Sequence, residues 1–190
     1  MDHKPGSYTF SEPQMTLLND CVNAWRGSIF WALMYMQSRL FHAENVDSIY
    51  NALQLQYKQY EYIMSHYYQI RLDKEIPAGS PLYRYYPAYL NYLDGRRRNL
   101  ADEIRLKWLE LDRQTAAQLA LLNPFWDSSV WGTLFVHNTE LLCQAADQDL
   151  LGNYRAISNT YLVLEMCIRD RHNCFDRYHQ ESHQGLFEPV

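Results

Sequence analysis

The stretch LADEIRLKWLELDRQTAAQLALL, residues 100–122, decides the fold. Its Leu100, Ile104, Trp108, Leu111, Thr115, Leu119 and Leu122 return at steps of three and four, which gathers them on one side of an α-helix in a pattern close to a heptad seam. Asn123-Pro124 closes the run, because the residue before a proline is pushed out of the helical region.

Working outward, the same period recurs on both sides. Ser11-Glu12-Pro13-Gln14 reads as a helix start, with a hydroxyl cap, a glutamine three residues on and a proline where no hydrogen bond is lost. Leu18, Val22, Trp25, Ile29, Ala32, Met36 and Leu40 then form the apolar face of a helix that stops at His42 or Ala43. Gly27 inside this run costs about 1 kcal/mol relative to alanine, and it predicts a close approach by another helix. A second helix starts from Asn45 as cap and carries Ile49, Leu53, Tyr60, Ile63, Tyr67 and Ile70, with Gln56 interrupting the stripe. Pro77-Ala78-Gly79-Ser80-Pro81 predicts a loop.

Past that loop Tyr83, Tyr85, Tyr86, Tyr89 and Tyr92 crowd together around Pro87, where a short helical turn is expected, and Asp94-Gly95 signals a turn. Beyond residue 124 a further helix starts from Asp127 and uses Val130, Leu134, Leu141 and Ala145. After a break at Gly152-Asn153, Tyr154, Ile157, Tyr161 and Leu164 mark another. No stretch alternates as a strand would. The expected fold is all-α: an up-and-down bundle of four to five helices with a tyrosine- and proline-rich excursion between the second and third long helices.

With 190 residues, 47% hydrophobic and 15% aromatic, the chain has enough apolar material for one core without disulfide or metal support. A formal net charge of −5 provides no field to attract phosphate backbones, so a nucleic-acid partner is not expected. Cys21, Cys143, Cys167 and Cys174 form no CxxC pair and read as reduced thiols of a cytoplasmic protein. The most apolar run, residues 29–36, is too short for a bilayer, and the first residues lack the pattern of a signal peptide. Met166-Cys167-Ile168-Arg169-Asp170-Arg171 resembles a translation of the transposon end joined to DNA fragments in sequencing-library preparation, a laboratory sequence and not a protein family. The chain accordingly divides into a helical domain over 1–165 and a tail over 166–190, read either as such an artefact or as an extension of the last helix.

Catalytic signatures do not assemble: there is no GxSxG, no glycine-rich phosphate loop and no HExxH. His172, Asp176, His179 and His183 would share one helical face, but one straight helix seldom converges on a single ion, and a polar terminus is the plainer reading. The Glu-x-x-His pairs of di-iron bundles are missing, and no cofactor is called for. His137, between Leu134 and Leu141, reads as an inward histidine held by hydrogen bonds. Arg96, Arg97 and Arg98 form the basic cluster of the chain, and their ordinary fate is a salt-bridged surface.

Two functional expectations follow. The leading one is a non-enzymatic interaction or regulatory module, binding a protein partner or itself through Trp108 and Leu111, which are anchor types at interfaces. The alternative is a bundle that binds a small molecule or metal. In it Tyr83, Tyr85, Tyr86 and Tyr89 wall a pocket with Arg96 or Arg97 at its mouth, or His137 faces inward as the polar group.

Overall fold

A computed structural model describes residues 11–69, 80–122 and 126–164, and within these the chain is entirely helical, without a strand. Its elements are α1 (Glu12–Leu40), α2 (Val46–Tyr68), α3 (Pro81–Asp94), α4 (Arg98–Leu122) and α5 (Ser128–Leu150), followed by a helical stretch over 154–164, here α6. The tail beyond residue 164 and its histidines lie outside the described residues, as do Ile70 and most of the expected loop before α3.

The helix count exceeds the expected four to five because the tyrosine-rich segment is itself a helix. Pro81 occupies its first turn, where its missing N–H costs nothing, but Pro87 sits inside it and removes a ladder hydrogen bond. An interior proline costs about 3 kcal/mol, and burial of Leu82, Tyr83, Tyr86, Tyr89, Leu90 and Leu93 on both sides of it offsets that cost.

α1 and α2 run antiparallel, and so do α4 and α5. Tyr35 meets Tyr50 and Trp25 meets Tyr60 between α1 and α2. Arg105 meets Glu140 and Asp112 meets Thr139 between α4 and α5. The interruption at Gln56 and the glycine at 27 turn out to be one feature: a Cβ built on Gly27 would lie 2.8 Å from Cδ of Gln56, so the missing side chain makes room for the amide.

The helix ends follow from local chemistry. Residues in the left-handed conformation close the C-terminal turns: His42 (φ 52°), Gln69 (φ 57°), Arg96 (φ 54°) and Gly152 (φ 68°). At each, the next N–H reaches back or the cap itself reaches back to the last carbonyls, as in Ala43 N–H to Ser38 O at 2.8 Å and Asn153 N–H to Gln148 O at 2.9 Å. The turn expected at Asp94-Gly95 is displaced by one residue, since Gly95 keeps φ −72° and Arg96 takes the left-handed position. At the N-terminal ends Asp127 caps α5, accepting from the Ser129 hydroxyl and from Ser129 N–H, both at 2.7 Å, and these bonds hold its carboxyl below the ordinary range. Asn45 makes no side-chain cap bond to α2, contrary to expectation, while Asn153 Oδ1 accepts from Ala156 N–H at 3.3 Å.

The core divides into two clusters. Tyr86, Tyr89, Leu90, Trp108 and Leu142 centre one; Leu17, Cys21, Ile63, Leu119 and Trp131 centre the other. The buried side of α4 is wider than the seam suggested: Ala101, Trp108, Leu109, Asp112, Thr115, Ala116 and Leu119 are buried, while Leu122 is exposed and Leu100, Ile104 and Leu111 are half-buried. The reason is that α4 packs on α3 and α5 at once, so two adjoining faces are covered. In α6 Ile157 and Leu164 are buried as expected, but Tyr154 is exposed.

Candidate functional site

Where the two clusters meet, α1 to α5 enclose a cavity of about 70 Å³. Its walls are aromatic: Trp25, Tyr57, Tyr60, Tyr83, Trp108 and Phe135. Ring pairs stand at an angle to each other, with Trp25 and Tyr60 centroids 5.5 Å apart at 57° and Tyr57 and Tyr83 5.1 Å apart at 50°. Such tilted pairs are a favoured arrangement and form adjoining walls rather than a flat stack.

Polar groups converge on this apolar chamber from four helices. Asp112 of α4, 4% exposed, accepts a hydrogen bond of 2.6 Å from the hydroxyl of Thr139 on α5. One turn further along α4, the buried Thr115 hydroxyl has no hydrogen-bond partner. Asn138 of α5 is buried beside Thr139. On the opposite side Ser28 donates to Ala24 O at 2.8 Å, so its single hydrogen is used, and the Tyr83 hydroxyl 2.7 Å away therefore donates to Ser28. Burial pushes the Tyr83 phenol up to about 12, which keeps it a neutral donor. Among the described residues that line the cavity, Asp112 carries a formal charge.

No family model, curated protein or solved structure matches this chain, so the geometry itself carries the functional reading.

The residues singled out from sequence fall in different places. Tyr83 lines the cavity, but Tyr86 and Tyr89 are wholly buried in the first core cluster and Tyr85 is half-buried beside Arg84. Arg96 and Arg97 are exposed beyond the far end of α3, where Arg97 lies 4.9 Å over the Tyr92 ring. Helical rise separates Tyr83 from the arginines by roughly 20 Å at about 1.5 Å per residue, so the expected tyrosine pocket with an arginine at its mouth does not assemble. Arg98 instead pairs with Asp147, Nη2 to Oδ2 at 2.9 Å, and with Asp102 at 3.1 Å. The salt-bridged arrangement expected of the cluster is thus seen at Arg98.

His137 is exposed rather than inward, on a shallow groove with Arg113, Ser129 and Glu140. Its neighbours Asn138 and Thr139 take the inward positions that periodicity assigned to it. Trp108, expected to face a partner, is 1% exposed and packs 5.5 Å from Tyr86, because α3 covers the side of α4 that a four-helix arrangement would leave open. Leu111 is half-buried.

Sequence reading passed over Asp112, Thr139, Asn138 and Ser28. A signal existed for Asp112: it lies four residues after Trp108 and three before Thr115, which places a carboxylate on the buried face of the most regular helix in the chain.

Other buried groups do not join the cavity. Asp149 is 5% exposed with both carboxylate oxygens unpartnered, and burial raises its pKa above 3.8. The hydroxyls of Tyr86 and Tyr161 are also buried without partners. Burial pushes the thiols of Cys21 and Cys143 up to about 12, the reverse of what a nucleophilic cysteine needs. Among the described residues no group of three His, Cys, Asp or Glu side chains is placed to hold a metal ion, and no helix is long and apolar enough to cross a membrane.

Proposed function

We propose that this domain binds a small molecule in the aromatic cavity, without catalysing its conversion. The observation that supports this is the convergence of a buried carboxylate, a buried unpartnered hydroxyl and neutral donors on a chamber walled by aromatic rings. An apolar enclosure with a few placed polar groups is what ligand sites look like. The ligand-binding reading drawn from sequence is kept, with Asp112 and its neighbours replacing Arg96, Arg97 and His137. The fold is proposed to act as an up-and-down bundle whose helices are pinned around the chamber. The buried reduced thiols fit a cytoplasmic setting.

Thermal unfolding across a panel of small amines, alcohols and aromatic compounds tests the proposal. A ligand at one hundred times its Kd stabilises the folded state by about 2.7 kcal/mol. For a domain of this size that raises the Tm by roughly 5–10 °C. Ala24→Leu places a larger side chain in the cavity wall and is expected to remove the shift while leaving the helical circular dichroism intact. No shift with any compound, or an equal shift in the filled variant, would overturn the reading.

A second reading, a helical interaction or regulatory module with a protein partner or self-association, draws on exposed apolar side chains. Leu106 of α4 is 64% exposed and Leu55 of α2 is 61% exposed. It predicts concentration-dependent light scattering that Leu106→Glu reverses.

A further inference from the structure

We propose that Thr115 anchors the ligand of this cavity through its hydroxyl, and that the ligand is a small apolar molecule carrying an oxygen acceptor such as a carbonyl. The inference rests on the ligand-binding reading above and deepens it by naming the ligand's chemical class and the residue that selects it.

The state of the hydroxyl decides first. A serine or threonine inside a helix commonly donates to the carbonyl one turn back. Thr16, Thr133 and Thr160 do so, reaching the carbonyls of Glu12, Ser129 and Ala156 at 3.0, 2.8 and 3.1 Å, and Ser28 does the same to Ala24. Thr115 lies inside α4 and departs from this habit. It is 7% exposed, and its hydroxyl has no hydrogen-bond partner among the described residues. Thr139, in the same lining, gives its one hydrogen to Asp112. Thr115 is thus a cavity-lining threonine whose hydrogen is unused.

Energetics decides what completes it. A hydroxyl buried without a partner forgoes the hydrogen bond that water would give it, and a ligand atom that restores the bond binds more tightly for that reason. The hydroxyl brings one hydrogen and two lone pairs. A carbonyl oxygen, which accepts and does not donate, is the complement of that hydrogen. The body of the ligand follows from the walls, where Trp25, Tyr60, Trp108, Leu119 and Phe135 present ring and aliphatic surface. At roughly 10–15 Å³ per water by the same measure, the cavity of about 70 Å³ holds about five waters, the bulk of a five-membered ring with one substituent atom.

The test compares cyclopentanone with methylenecyclopentane, which has the same shape and no oxygen, by calorimetric titration of the full chain and of Thr115→Val. Each compound is compared with itself in the two proteins, so its own cost of leaving water cancels. Valine keeps the outline of threonine and removes the hydroxyl, and because that hydroxyl has no partner the variant's Tm is expected to equal or exceed the native one. Cyclopentanone should bind the variant about tenfold more weakly, the range that one buried hydrogen bond supports, while methylenecyclopentane binds as before or more tightly. Should the variant fail to fold, infrared spectroscopy of cyclopentanone bound to the native chain replaces it: the carbonyl band should lie below its position in hydrocarbon solvent. Equal changes for the two compounds, or a carbonyl band at its hydrocarbon position, overturn the assignment of Thr115 and leave the cavity as a ligand site. Binding of neither compound, together with no thermal shift across the panel, overturns both.

Discussion

Replacing Trp108 by alanine removes an indole that is 1% exposed, wedged against Tyr86 and forming part of the cavity wall. A buried tryptophan contributes roughly 150–250 Å² of covered surface, which at about 25 cal/mol per Å² corresponds to about 4–6 kcal/mol as an upper figure. Comparable aromatic truncations cost about 3–5 kcal/mol once partial collapse is included. Trp108 touches Tyr86 on one side and the cavity on the other, so its removal enlarges an existing space and the upper half of that range applies. At about 2–4 °C per kcal/mol for a chain of this length, the Tm falls by roughly 8–20 °C. Guanidinium unfolding followed by circular dichroism measures it, with Leu106→Ala as the control. Leu106 lies on the same helix but is 64% exposed, so its truncation should change stability by no more than about 0.5 kcal/mol. A loss of under about 1 kcal/mol for Trp108→Ala, or equal effects for the two variants, would mean that Trp108 faces solvent or a partner and that the packing described is wrong.

Other substitutions probe separate parts of the structure. Asp149→Asn should raise the Tm by a few degrees at neutral pH: burial raises the folded-state pKa, so the group's contribution is intact below about 3.8 and lost as the pH rises through the raised value, and the variant's advantage should fade in a pH series approaching 4. Tyr86→Phe deletes a buried hydroxyl that has no partner, and urea unfolding should show a gain of about 1 kcal/mol or more. Arg96→Gly places glycine at a left-handed position and should stabilise the chain by about 0.5–1 kcal/mol in the same assay. A loss of stability in any of these contradicts the local geometry on which it rests.

Much of the fold was legible because the helical period is strong in long runs. The stripe Leu18, Ile29, Ala32 and Met36 of α1 is buried, as are Ile49, Leu53 and Ile63 of α2. The Asp127 cap and the Gly152-Asn153 break sit where local chemistry placed them. What periodicity does not encode is which side of a helix gains a second neighbour. Pro87 made the tyrosine segment look like an excursion, and its packing as a full helix covers Trp108 and widens the buried face of α4 to include Asp112. The same effect reassigns α5: with Trp131, Leu142 and Ala145 buried, Asn138 and Thr139 turn inward and His137 outward. The site was therefore harder to read than the fold. Its polar members come one or two from each helix, Ser28, Tyr83, Asp112 and Thr139, and only tertiary packing brings them together.

Indole ¹⁵N–¹H NMR during addition of the small amines, alcohols and aromatic compounds of the thermal panel tests the ligand site most directly, because the tryptophans report from different places. Trp25 and Trp108 line the chamber, whereas Trp31 packs on the outer part of the first core cluster. The Trp25 and Trp108 signals are expected to move and saturate together while Trp31 stays in place. Five unmoved indoles, or a uniform drift of all five that never saturates, would contradict a ligand site at the heart of this domain.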